Sequence, residues 1–153
     1  MVDIVHRVGA VAPIEKVYRA IATPDGVAGW WTSETSGGDR VGETITTGFT
    51  NAETGERIGT FELMLEELKP DSRVAWRVVE GPDEWVGTLI SFDVKQQGEY
   101  TIVGFTHGGW RESGEFMAHC STKWATFLMS LKAFTETGAG EPAPGDVQIS
   151  NWH

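Results

Sequence analysis

A chain of 153 residues with 40% hydrophobic and 22% charged residues has the size and balance of one globular domain. Its net charge of −10 and scattered basic residues exclude nucleic acid and anionic membrane surfaces as natural partners, and no apolar run reaches the roughly 18 to 20 residues that span a bilayer. The single cysteine, Cys120, excludes an internal disulfide, and with no secretory signal in MVDIVHRVGAV the expected location is cytoplasmic.

Residues 2–11 are rich in β-branched side chains and predict a first strand, with Ile4, His6 and Val8 on one face. Pro13 opens a short amphipathic helix in which Ile14, Val17, Tyr18 and Ile21 recur at three-to-four spacing. Thr23 and Pro24 supply a cap and first turn for a second short helix that ends at Gly29, with Trp30 and Trp31 just beyond. Adjacent residues cannot both face one patch of core, so one of these rings is expected to pack the scaffold and the other to sit at a cavity mouth. Which does which is not legible. The following TSETSGGDRVG, 32–42, carries no helix or strand pattern and is expected to be a polar, lid-like loop.

Five strands follow at hairpin spacing: GETITTGF, RIGTFELMLEELK, SRVAWRVVE, EWVGTLISFDV and EYTIVGFTH, separated by turn-like segments. Phe61, Leu63 and Leu65 share a face, as do Val74, Trp76 and Val78. From about Glu112 to Thr135, Met117, Cys120, Trp124, Phe127, Leu128, Leu131 and Phe134 mark one long amphipathic helix, terminated at Gly138. Residues 1–138 form the expected domain, and 139–153, rich in Gly, Pro and polar residues, a surface-lying tail.

One strand, two short helices, five strands and a long helix make an α+β pattern: about six antiparallel strands curved around a C-terminal helix. The aromatic surplus, seven tryptophans and seven phenylalanines, then has two readings. The rings either fill a fully packed core or wall a cavity between sheet and helix. His6, Trp31, Phe49, Trp76, Trp85, Phe92, Trp110, Met117, Trp124 and Phe127 come from the elements that would surround such a cavity and are the candidate ligand-binding residues.

No recognisable catalytic constellation is present. His6 could serve as a general base if it projects into the pocket, or simply be satisfied at the sheet rim or in the core. Cys120 lies on the apolar stripe, and His119, its neighbour on the helix, points away, which argues for packing and against a thiolate nucleophile. The four histidines show no metal-ligand spacing, and GGDRVGE has no following helix to cradle a phosphate, so neither metal nor cofactor is expected.

Several phrases occur in an order that resembles a known family. They are Ala12-Pro13-Ile14-Glu15-Lys16-Val17-Tyr18, Thr23-Pro24 with Trp30-Trp31, Val41-Gly42-Glu43, Leu68-Lys69-Pro70 before Val74-Ala75-Trp76, and Trp124 with Leu128 to Leu131. Together, over residues 3–137, they resemble the SRPBCC superfamily of START-like and birch-pollen-allergen-like helix-grip proteins. Within it they are similar to homologues of the activator of the heat-shock-protein-90 ATPase. The resemblance implies a helix-grip fold and three kinds of function. First comes binding of a small hydrophobic or aromatic ligand, with no catalysis. The alternatives are a chaperone-cofactor-like module with a protein partner, and a polyketide cyclase or dehydratase.

Overall fold

The computed structural model describes all 153 residues. In chain order the elements are β1 (Val2–Ala10), α1 (Ile14–Ala22), α2 (Pro24–Ala28), β2 (Glu34–Gly37), β3 (Thr44–Thr50), β4 (Arg57–Lys69), β5 (Arg73–Glu80), β6 (Leu89–Gln97), β7 (Tyr100–Trp110) and α3 (Glu115–Thr137). The strands form one sheet in the order β1-β7-β6-β5-β4-β3-β2, every pair antiparallel. The expected α+β helix-grip architecture is what is observed.

The local signals behave as their chemistry requires. Thr23 Oγ1 accepts the Gly26 N–H at 3.0 Å and caps the start of α2 just ahead of Pro24, its first residue. Gly138, at φ 88°, ends α3 by donating its N–H to the Phe134 carbonyl, a left-handed cap that a glycine adopts without steric cost. The long strand β4 pairs with β5 through two register shifts, which bend it and curve the sheet toward α3.

Two segments differ from the sequence-based expectation. Within the polar stretch 32–42, Glu34–Gly37 form a seventh strand on the sheet edge, paired with β3. An edge strand needs one ladder and no apolar face, so its polar ETSG leaves no alternation to read. Thr32 fastens its start by donating to the Gly48 carbonyl at 2.6 Å. The strand expected from Glu84 begins only at Leu89. Residues 82–87 instead turn, with the Trp85 and Val86 N–H groups both donating to the Pro82 carbonyl and Gly87 at φ 87°. Trp85 therefore stands on a turn and not on a strand.

The core is one cluster between the sheet and the helices. Both rings of the tandem pair are buried in it. Trp30 donates its indole N–H to the Ala20 carbonyl at 2.8 Å and meets the Phe92 ring edge-on, tying the short helices to the sheet. Trp31 stacks beside it, 6.4 Å between ring centroids, and lies 5.1 Å from Trp124 and 5.7 Å from Trp76, so the two adjacent rings share one patch of core, contrary to the expectation from local geometry. Neither ring sits at a mouth beside 32–42.

Candidate functional site

Between the β3–β4 hairpin, the β5–β6 turn and the first half of α3 lies a cleft of about 1240 Å³. Its floor is aromatic. Trp31 and Trp124 meet there, Trp85 stacks on Trp124 at 5.9 Å, and Phe61 closes on Trp85 at 4.5 Å with Phe49 behind it. Ile58, Val79 and Val86 stand exposed at its rim.

Of the ten residues proposed from sequence, Trp31, Phe49, Trp85, Trp124 and Phe127 line this cleft. Trp76 and Phe92 are fully buried beneath it, their rings 4.9 Å apart, and Trp110 packs against His107 and Phe116. Met117 is half-buried against the core outside the wall. His6 also stands outside it, its Nε2 within 3.1 Å of the Ser121 carbonyl and 3.2 Å of Ser121 Oγ, so that it pins β1 to α3. For the four on strands the cause is position in the sheet, since the cleft occupies one end of it and His6, Trp76, Phe92 and Trp110 belong to its middle or its far edge, whereas Met117 stands on a side of α3 that does not line the cleft.

The floor is held rigid by a buried polar chain. Trp124 Nε1–H, which can only donate, points to His107 Nδ1 at 3.1 Å, so Nδ1 accepts and the proton is on Nε2. Nε2–H then donates to Thr88 Oγ1 at 2.8 Å, and the Thr88 hydroxyl donates to the Trp85 carbonyl. Every member is satisfied only with His107 neutral. Burial pushes the pKa of His107 down to about 3, in the same direction. By contrast Trp76, Trp85 and Trp110 keep buried indole N–H groups without a partner.

One wall is polar, and sequence reasoning missed it. His119, Cys120 and Lys123 from α3 face Asp146, Gln148, Asn151, Trp152 and His153 from the tail. Lys123 Nζ donates to Asp146 and to the Val147 carbonyl, and lies 5.1 Å from the Phe127 ring centroid. Burial, then the charges of Lys123 and His153, hold the His119 pKa below its ordinary value. Burial, with some help from the Glu84 charge, pushes the Cys120 thiol up to about 11, so at neutral pH it is an unionised thiol. The only signal for this wall was Lys123 one turn before Phe127; the tail's Gly/Pro composition says nothing of where it lies. The expected lid, 32–42, contributes nothing to the wall, whereas 143–153 crosses it.

Nowhere do three His, Cys, Asp or Glu side chains converge as metal ligands would, and no helix is long and apolar enough to cross a membrane.

Comparison with known proteins agrees with this architecture. The family described as Activator of Hsp90 ATPase homolog 1-like protein matches residues 11–136. The Aha1 dimer from Colwellia psychrerythraea is 42% identical, with a TM-score of 0.78 over 92% of this chain and 100% of that one. The protein SSP2350 from Staphylococcus saprophyticus is 20% identical (TM-score 0.70; 91% and 95% covered) and CalU16 from Micromonospora echinospora 18% (TM-score 0.67; 89% and 77% covered); at those identities they share the fold. No curated protein sequence matches. The family match over most of the chain, the 42% identical relative and the sheet-around-helix architecture agree: the chain belongs to the Activator of Hsp90 ATPase homolog 1-like family, within the SRPBCC helix-grip superfamily.

Proposed function

We propose that this protein binds a small, uncharged apolar or aromatic molecule in the cleft between sheet and α3, without transforming it. The observation that carries this reading is the cleft itself: about 1240 Å³, aromatic at its floor and apolar over half of its lining residues. Sites for such ligands are concave, mostly apolar and supplied with a few polar groups that fix orientation. His119 on α3 and Thr60 on β4 are such groups here. No acid–base pair is needed for retention of a ligand, and His6, the candidate base, is occupied with Ser121.

A titration followed by tryptophan fluorescence tests it. N-phenyl-1-naphthylamine, an uncharged aromatic probe, is expected to bind saturably at one site per chain, and Phe61→Asp is expected to weaken it at least tenfold. Absence of any saturable response to this probe and to a panel of uncharged aromatics would overturn the reading.

A second reading is favoured by the rim. Ile58, Val79, Val86 and Trp152 are 64%, 42%, 49% and 48% exposed around one opening, an apolar margin of the kind that marks protein interaction sites. The family description and the Colwellia relative, solved as a dimer, give it context. In this reading the partner is a chaperone or a second protein. Its test is the ATPase rate of purified Hsp90 with and without this protein, where an unchanged rate counts against a chaperone.

A further inference from the structure

The chain beyond α3 is held in two different ways along its length. At its start it is built into the domain. The Glu141 N–H donates to Ser130 Oγ at 2.7 Å, the Ala143 N–H to the Trp31 carbonyl at 2.8 Å, and the Ser33 N–H to the Ala143 carbonyl at 2.9 Å. Ala143 is buried, and it bridges to Thr32 in parallel.

From Pro144 onward the character changes. Residues 144–153 enter no helix or strand, and none of them is a buried residue. Their backbone hydrogen bonds close locally: Gly145 N–H to the Pro142 carbonyl, Ile149 N–H to that of His153, and His153 N–H to that of Ser150. The hydrogen bonds that join the segment to the body of the domain all come from one side chain, Lys123, which donates to Asp146 Oδ2 and to the Val147 carbonyl. The Asp146 and Lys123 side chains are only 6% and 13% exposed. His153 Nε2 stands 3.3 Å from Asp146 Oδ1, and Trp152 meets the His119 ring at 5.5 Å.

We infer that residues 144–153 are a strap over the polar wall of the cleft, latched by the single buried Lys123–Asp146 pair. Release at that latch bares the cleft from the His119 side while the rest of the domain stays folded. The physical reason is the contrast in how the two parts are held. A segment with few buried apolar contacts and no ladder opens at far lower cost than the sheet and helix beneath it, and a buried pair that loses one charge leaves the other uncompensated, which drives the segment out. The gating role rests on the binding reading above; the latch does not.

Hydrogen exchange on the full chain, read amide by amide, separates the two. In the parent protein the Ile149 and His153 amides are expected to be protected. In Asp146→Asn they are expected to exchange at least tenfold faster, with Ala143 and the α3 amides unchanged. The double variant Lys123→Met/Asp146→Asn, which leaves no lone buried charge, is expected to release the same two amides and guards against a folding defect in the single variant. Unprotected amides in the parent, equal rates in parent and variants, or acceleration spread equally over Ala143 and α3 would overturn the latch. Stopped-flow association of N-phenyl-1-naphthylamine is expected to quicken several-fold in Asp146→Asn. An unchanged rate with a released strap would overturn the gate, whereas no binding to either protein would overturn the cleft reading and leave the exchange result to decide the latch.

Discussion

His107 is the residue on which the cleft floor turns. It is fully buried, and its neutral Nε2–H tautomer is imposed by the indole donor of Trp124 on one side and completed by Thr88 on the other. A folded-state pKa depressed to about 3 from 6.5 means that the unfolded chain binds a proton the native state refuses. The contribution is therefore complete above about pH 6.5 and is lost as pH falls toward 3, up to roughly 4 to 5 kcal/mol across the window. Urea denaturation between pH 7 and pH 4 should show that decline, and His107→Phe should flatten part of it while leaving Trp124 Nε1 unpaired, at a cost of about 1 to 3 kcal/mol at pH 7. Cys120 provides a second check at this scale. With its thiol raised to about 11 by burial, alkylation by iodoacetamide at pH 8 should be slow in the native protein and fast in urea. That Cys120 packs and does not react as a thiolate was legible from its place on the apolar stripe. The His107 chain was not, because a histidine, a threonine and two tryptophans spread from 85 to 124 in sequence carry no spacing signal for one another.

Among the elements, the end of α2, the middle of α3 and the start of the tail meet at Ser130. Its hydroxyl donates to the Trp30 carbonyl at 2.8 Å and accepts from Glu141, so it serves three segments at once. Two glycines allow the approach. A Cβ on Gly140 would lie 2.5 Å from the Gly29 carbonyl oxygen and 2.8 Å from Ser130 Oγ, and a Cβ on Gly29 would collide with the Phe134 ring. Gly140→Ala is expected to cost about 1 to 3 kcal/mol, because a backbone carbonyl cannot yield, and Gly29→Ala less, because Phe134 is only partly buried and can shift. Thermal denaturation of the two variants gives the order. The sheet edges are treated differently from each other. Lys132 covers β1 by donating to the Gly9 carbonyl at 2.9 Å, while β2 is short and polar. Lengths and types of α1, α2, α3 and the long strands followed from periodicity and caps. The strand β2 and the 82–87 turn did not, since one has no apolar face and the other places a lone tryptophan where continued alternation would also have placed it.

At the scale of the whole molecule, the cleft and its stability are linked. A ligand that binds only the folded protein raises its unfolding free energy by about 2.7 kcal/mol at a hundred times its dissociation constant, so a bound aromatic should lift the melting temperature by several degrees. The same compound at the same concentration should lift Phe61→Asp by about half as much or less, and differential scanning fluorimetry with N-phenyl-1-naphthylamine checks both.

The architecture is legible in the sequence because it rests on short-range rules. Periods of two and of three-to-four, a proline at a helix start and a glycine at a helix end each act within a few residues, and their order suffices for a sheet closed over one helix. The composition of the cleft wall needed the tertiary structure. Whether Trp31 or Trp30 reaches the cleft depends on the direction in which α2 delivers the chain, and that Phe61 lines it while Trp76 lies stacked under Trp31 depends on how β4 and β5 sit in the sheet. That 143–153 and not 32–42 crosses the opening depends on one lysine finding one aspartate 23 residues away. A contact of that kind is a meeting of distant segments, which the neighbours of each residue in sequence do not encode.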